Sequence, residues 1–253
     1  MSPFFGSGGF NRGFFKPVAA PAPSGDIGSL TLDYWYKFND LTDSKGNGSA
    51  FVLAGGATNS GGAINLPDGA VGTYAATTGT EFENLGADSY TLWRWFSLDT
   101  GFSTSATPMM AFSDGSTSSA FAMNMTLSPA TPGIDVAISN ATPASTTTNI
   151  NAGSAFVANT NYLIMVCYTP VADGSSLLNL YLAAAGTIQA NVRTASSTAQ
   201  RLQRTTAGYK LRTKQRNASG ASILGKEKET GIIRAFHGDI NTFMTVLNAG
   251  LSA

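Results

Sequence analysis

A hydrophobic period of two, recurring from Leu30 onward, limits this chain more than any other feature. Leu30, Leu32, Tyr34, Tyr36 and Phe38 fall on one side of an extended backbone, with Thr31, Asp33 and Lys37 on the other. Phe121, Met123, Met125 and Leu127 alternate with small or polar residues, as do Ile134, Val136 and Ile138, and then Leu178, Leu180 and Leu182. Successive strand side chains point to opposite faces, so this period predicts strands with one face in a core and one toward solvent. Two segments, Thr91–Leu98 and Leu163–Val166, are apolar on both faces and are predicted to be central strands. Turn-forming clusters at 44–48, 67–69, 113–115, 151–153 and 172–174 punctuate the runs. Many short strands, frequent turns and almost no helical period predict an all-β, two-sheet antiparallel sandwich.

Composition agrees. Charged residues make up 12% of the 253, about half the roughly 25% of ordinary soluble chains. One cysteine, Cys167, and one histidine, His237, cannot build a disulfide framework or a tetrahedral His/Cys zinc site. A net charge of zero removes bulk attraction to nucleic acid or anionic membranes. The longest dense apolar run, Tyr162–Tyr168, is far short of the roughly 20 residues that span a bilayer. No secretory signal is legible, so neither membrane nor nucleic acid is expected as a partner.

The first 25 residues differ from the rest. Phe4, Phe5, Phe10, Phe14 and Phe15, a third of the chain's 15 phenylalanines, stand among glycines, and Pro17, Pro21 and Pro23 follow. Glycine and proline interrupt every periodic run, yet disordered tails are normally poor in aromatics. Such a segment is expected to gain order by burying its phenylalanines against a partner chain, at about 1.5–3 kcal/mol each; folding back on its own domain is the alternative. Residues 1–28 therefore read as an extended Gly/Phe/Pro-rich anchoring arm and 29–253 as the sandwich.

Charge marks a third region. Residues 1–192 carry five basic and twelve acidic side chains, a net −7, whereas 193–234 carry ten basic and two acidic, a net +8. Arg201, Arg204, Lys210, Arg212, Lys214 and Arg216 concentrate in one stretch, read as a basic insertion within about 193–234 that forms a contact patch. An acidic surface on another copy or a neighbouring subunit is the preferred occupant; phosphates or solvent alone are the alternatives.

Five segments in order resemble laminin-G-like, concanavalin-type jelly-roll domains. They are Asp33–Ala57, with its Asp-Ser-Lys-Gly-Asn-Gly loop, then Ala63–Ala76, the tryptophan-bearing Ser89–Leu98, the paired Asn161–Gly186, and Gly238–Ala253. The resemblance implies two curved antiparallel sheets and, by family habit, binding of glycans or proteins, with glucan cleavage in enzyme relatives. It also implies a rim calcium site, for which Asp43 and Asn47 are the candidates and Asp99 and Asp114 remoter ones; turn formation alone also explains such residues. The arm, the low charge and the missing disulfides resemble tailed-phage virion components. That likeness implies a protein made in host bacterial cytoplasm and displayed on a virion, as capsid decoration, spike or tail fibre, with other virion proteins and copies of itself as partners.

Catalytic readings are weak. A retaining glycosidase needs two carboxylates about 5–5.5 Å apart, and the glucanase Glu-x-Asp-x-x-Glu motif is missing. Glu81/Glu83 and Glu227/Glu229 are the spaced glutamate pairs. Cys167 reads as a small buried hydrophobe and His237 as a turn residue. Trp35, Trp93 and Trp95 are expected in the core, leaving loop residues Tyr74 and Tyr209 as exposed stacking candidates. The expectation is a non-enzyme with a host-surface glycan as the alternative partner.

Overall fold

A computed structural model describes residues 32–67, 74–79, 89–102, 107–113, 121–128, 132–139, 145–171, 175–184, 193–200, 210–213 and 224–234. None of these is helical. The fold is an all-β jelly-roll sandwich of two antiparallel sheets, concanavalin-like in type.

The larger sheet holds β1 (Tyr34–Tyr36), β3 (Thr58–Ser60), β4 (Ala63–Leu66), β6 (Tyr90–Leu98), β11 (Asn161–Pro170), β12 (Ser175–Ala184), β13 (Arg193–Gln200) and β15 (Gly225–Ile233), in the order β13-β12-β11-β6-β15-β4-β3. β1 lies beside the second half of β15, and β4 beside its first half. The smaller sheet holds β2 (Phe51–Ala54), β5 (Tyr74–Thr77), β7 (Thr107–Ser113), β8 (Phe121–Ser128), β9 (Gly133–Ser139), β10 (Ser145–Asn151) and β14 (Lys210–Thr213), in the order β10-β9-β8-β7-β14-β5-β2.

The alternating residues do what their period predicts. Tyr34, Tyr36 and Phe38 pack with Met123, Met125, Leu127, Ile134, Val136, Ile138, Leu178, Leu180 and Leu182 in the core between the sheets. The segments apolar on both faces are central. β6 is buried along its whole length between β11 and β15.

The basic region does not behave as an insertion. Its residues supply β13, β14 and β15, and the last two are interior strands of opposite sheets. β14 lies between β5 and β7, and β15 runs along β6. Chain-local charge hid this, because Lys and Glu alternate over Lys226–Glu229 where a core strand usually shows apolar side chains. The strand is completed by Gly231, Ile232 and Ile233.

Candidate functional site

Strand register brings four chain segments into one polar row on the outer face of the larger sheet. Asn65 of β4 pairs with Lys226 of β15, Lys226 with Ser97 of β6, and Ser97 with Asn161 of β11. Their inward neighbours Ile64, Glu227, Phe96 and Tyr162 line the core side. Because the side-chain period is two, a register that buries this second set must present the first outward.

The row floors a groove of about 390 Å³ walled by Ser60, Gly61, Asn159 and Lys228. A Gly61-Gly62 turn with positive φ (61° and 68°) reverses the chain tightly between β3 and β4, and so brings Ser60 to the rim. Asn65 Nδ2 donates to Ser60 Oγ at 3.0 Å, which steadies its amide plane. Asn159, itself at φ 60°, donates its backbone N–H to the Leu98 carbonyl at 2.7 Å and its amide to Thr100 Oγ1. Both carboxamides are thereby held before any ligand arrives.

A β-bulge between Glu227 and Glu229 decides which charges reach the groove. Glu227 faces inward, where its Oε2 accepts from Arg94 Nη2 at 2.8 Å. Arg94 also donates to the Met109 carbonyl of the opposite sheet at 2.7 Å, so this fully buried pair stitches the two layers together. The extra residue, Lys228, shifts the register, so Glu229 pairs with outward-facing Trp95 instead of continuing the inner row. Lys226 Nζ lies 4.0 Å from Asp99 on the groove rim. The ammonium of Lys228 is pulled below its ordinary pKa by burial and by its neighbour Lys226.

Farther along the same outer face the surface becomes apolar. Trp35, Trp93, Trp95, Leu163, Met165, Cys167 and Ala183 form a second buried cluster. The tryptophans are buried as expected, but on the back of the sheet and not between the layers. Gly231 makes this possible, since a Cβ there would lie 2.5 Å from the Trp93 ring. Lys37 Nζ caps the Trp35 ring at 3.8 Å from its centroid. Glu229, at the border of groove and cluster, has its carboxyl pKa raised to about 7 by burial, against the pull of Lys37.

The remaining candidates divide clearly. Asp43, read as a calcium ligand, takes a structural role: Oδ1 accepts from the backbone N–H of Trp35 and Lys45, and Oδ2 from those of Asn47 and Gly48. Asn47 donates its amide to the Asp33 carbonyl. Four donors on one carboxylate use the lone pairs a hard cation would need. Among the described residues no group of three His, Cys, Asp or Glu side chains is placed to hold a metal.

Of the basic patch, Lys210 and Arg212 are residues of β14, and Arg212 is buried. Arg201, Arg204, Lys214, Arg216, Phe4, Phe5, Phe10, Phe14, Phe15, Glu81, Glu83, Asp114, Tyr209 and His237 lie outside the described residues, as does the side chain of Tyr74. Glu227 and Glu229 point to opposite sides of the sheet and do not form a carboxylate pair. Cys167 is fully buried, with Thr91 Oγ1 3.6 Å from its sulfur. The polar row escaped the sequence reading because its members come from positions 65, 97, 161 and 226. The Ser60-Gly61-Gly62 turn was the local signal available.

No family model and no curated protein sequence matches the chain. Solved structures do share its architecture. The receptor-binding domain of botulinum neurotoxin type G matches with a TM-score of 0.56 over 88% of this chain, at 9% identity. Domain 4 of AbnA, an extracellular arabinanase from Geobacillus stearothermophilus, matches with a TM-score of 0.50 over 87% of this chain and 98% of that one, at 13% identity. Trypanosoma rangeli sialidase matches with a TM-score of 0.53 over 85% of this chain and 32% of that one, at 11% identity. The chain spans 52% of the botulinum domain. At identities this low the likeness shows the fold alone, a concanavalin-like jelly-roll sandwich.

Proposed function

We propose that this chain is a non-catalytic glycan-binding module whose site is the polar groove, displayed on a virion by its N-terminal arm. The observation that carries the binding part is the Asn65–Lys226–Ser97–Asn161 row, an array of amide, hydroxyl and amine groups on a rigid sheet. Sugar hydroxyls both donate and accept, and carboxamides answer both roles within one planar group. Mounting them on paired strands keeps their spacing fixed, which lowers the ordering cost of binding. The shared fold supports this reading by analogy. AbnA domain 4 was solved with arabinotriose and the trypanosome sialidase with sialic acid.

Among the described residues the two glutamates of β15 serve opposite faces and offer no carboxylate pair for glycoside cleavage. Attachment to a virion rests on sequence alone, on five phenylalanines set among glycines and prolines in residues 1–28.

The full-length chain should retain glycans on an array of bacterial surface polysaccharides, and Asn65→Ala with Asn161→Ala should abolish retention. A blank array would refute the binding reading. Deleting residues 1–28 should leave glycan binding intact while removing the protein from assembled particles; particle incorporation of the shortened chain would refute the anchoring.

A further inference from the structure

The charge inventory of the groove narrows the ligand. Two ammonium groups, Lys226 and Lys228, share a wall otherwise made of amides and hydroxyls. Asp99 lies 4.0 Å from Lys226 and partly matches it. Lys228 has no carboxylate partner among the described residues, although it stands in a partly buried position. Both of its chain neighbours are acids, but Glu227 is turned into the core onto Arg94 and Glu229 toward Lys37 and the tryptophan cluster. A cation destabilised by desolvation and like-charge repulsion in the unliganded protein has both offset by Coulomb attraction when an anion enters. Lys228 follows Lys226 at a spacing of two on the outer face, and the bulge leaves it as the extra residue without a partner in the β6 register.

The geometry points to a carboxylate-bearing sugar as the ligand of this groove, its carboxylate on Lys228 and Lys226 and its hydroxyls on Asn65, Asn159, Asn161 and Ser97. The assignment rests on the glycan-binding reading and goes one step further, to the class of glycan. A uronic-acid chain supplies the required chemistry: a ring with several hydroxyls and one fixed negative charge. Its fully methyl-esterified form keeps the ring and the hydroxyls and loses only the charge.

Calorimetric titration of the full-length chain with tetragalacturonate and with its methyl ester tests the assignment. The acid should bind at least tenfold more tightly, and raising the salt should narrow the gap. Lys228→Gln should remove the preference. Asp99→Asn should increase it several-fold, because Lys226 loses its competing carboxylate, and a misfolded variant cannot produce a gain. Equal affinity for acid and ester, or an unchanged preference in Lys228→Gln, overturns the assignment while leaving the glycan reading in place. Failure of both probes together with a blank glycan array overturns both.

Discussion

The inner and outer faces of β15 carry charges one or two residues apart and treat them in opposite ways. Inside, Glu227 meets Arg94 at 2.8 Å with both side chains sealed from water, and a second guanidinium nitrogen, Nη1, reaches across to the other sheet. Outside, Lys226, Lys228 and Glu229 are partly exposed and loosely matched or unmatched. The contrast shows how one strand separates two jobs. A matched, desolvated pair specifies how the layers dock, whereas unmatched charges on a rigid face are available to a ligand.

The largest break in this contrast should come from the inner pair. Glu227→Ala leaves the Arg94 guanidinium buried without its counter-ion, which should cost about 3–5 kcal/mol in denaturant unfolding. Replacing both residues with apolar side chains of similar volume should cost far less. Equal losses for the single and double variants would mean that packing, not charge, holds the position.

On the outer face, Gly231→Ala should cost about 1–3 kcal/mol by forcing Trp93 off the sheet. Tryptophan fluorescence should shift to the red as the indole meets water. An unchanged spectrum with wild-type stability would show that the cluster absorbs the added methyl group.

Glu229 sharpens the comparison through pH. Its folded pKa, near 7, lies above the unbound carboxyl value of 4.5, so the folded state holds the proton more tightly than the unfolded one. Stability is then full below about pH 4.5 and declines as pH rises toward 7, by an amount that partial exposure limits to about 1–2 kcal/mol. Glu229→Gln should flatten that slope and leave the protein more stable at pH 8. A persistent slope in the glutamine variant would assign the titration elsewhere.

The smallest effect belongs to the groove lysines. Lys226→Gln and Lys228→Gln should change unfolding free energy by no more than about 0.5 kcal/mol. A larger loss would move them from ligand binding to structural support.

Much of the architecture was readable from one dimension. Alternation at Met123–Leu127, Ile134–Ile138 and Leu178–Leu182 identified strands, because burial of one face writes itself into a local period of two. The continuous apolar runs in β6 and β11 identified the centre of a sheet for the same reason. The basic segment was harder to read: its lysines mask a strand whose inner face is carried by Glu227, Thr230 and Ile232. A clue stood in Arg94, a lone cation within Thr91–Leu98, since a buried guanidinium implies a distant carboxylate. Its partner is 133 residues away.

By itself, then, the amino-acid order settled the alternating and doubly apolar strands, the burial of the tryptophans and the all-β class, all consequences of neighbours along the chain. Tertiary structure alone chose the face on which those tryptophans are buried, turned Asp43 into the acceptor for four backbone donors, and aligned Asn65, Lys226, Ser97 and Asn161. The Asp43 loop closes through donors no more than eight residues away and is local but aperiodic; the other two outcomes depend on interstrand register and one bulge, which are set by packing between segments far apart in sequence and leave no period to be read.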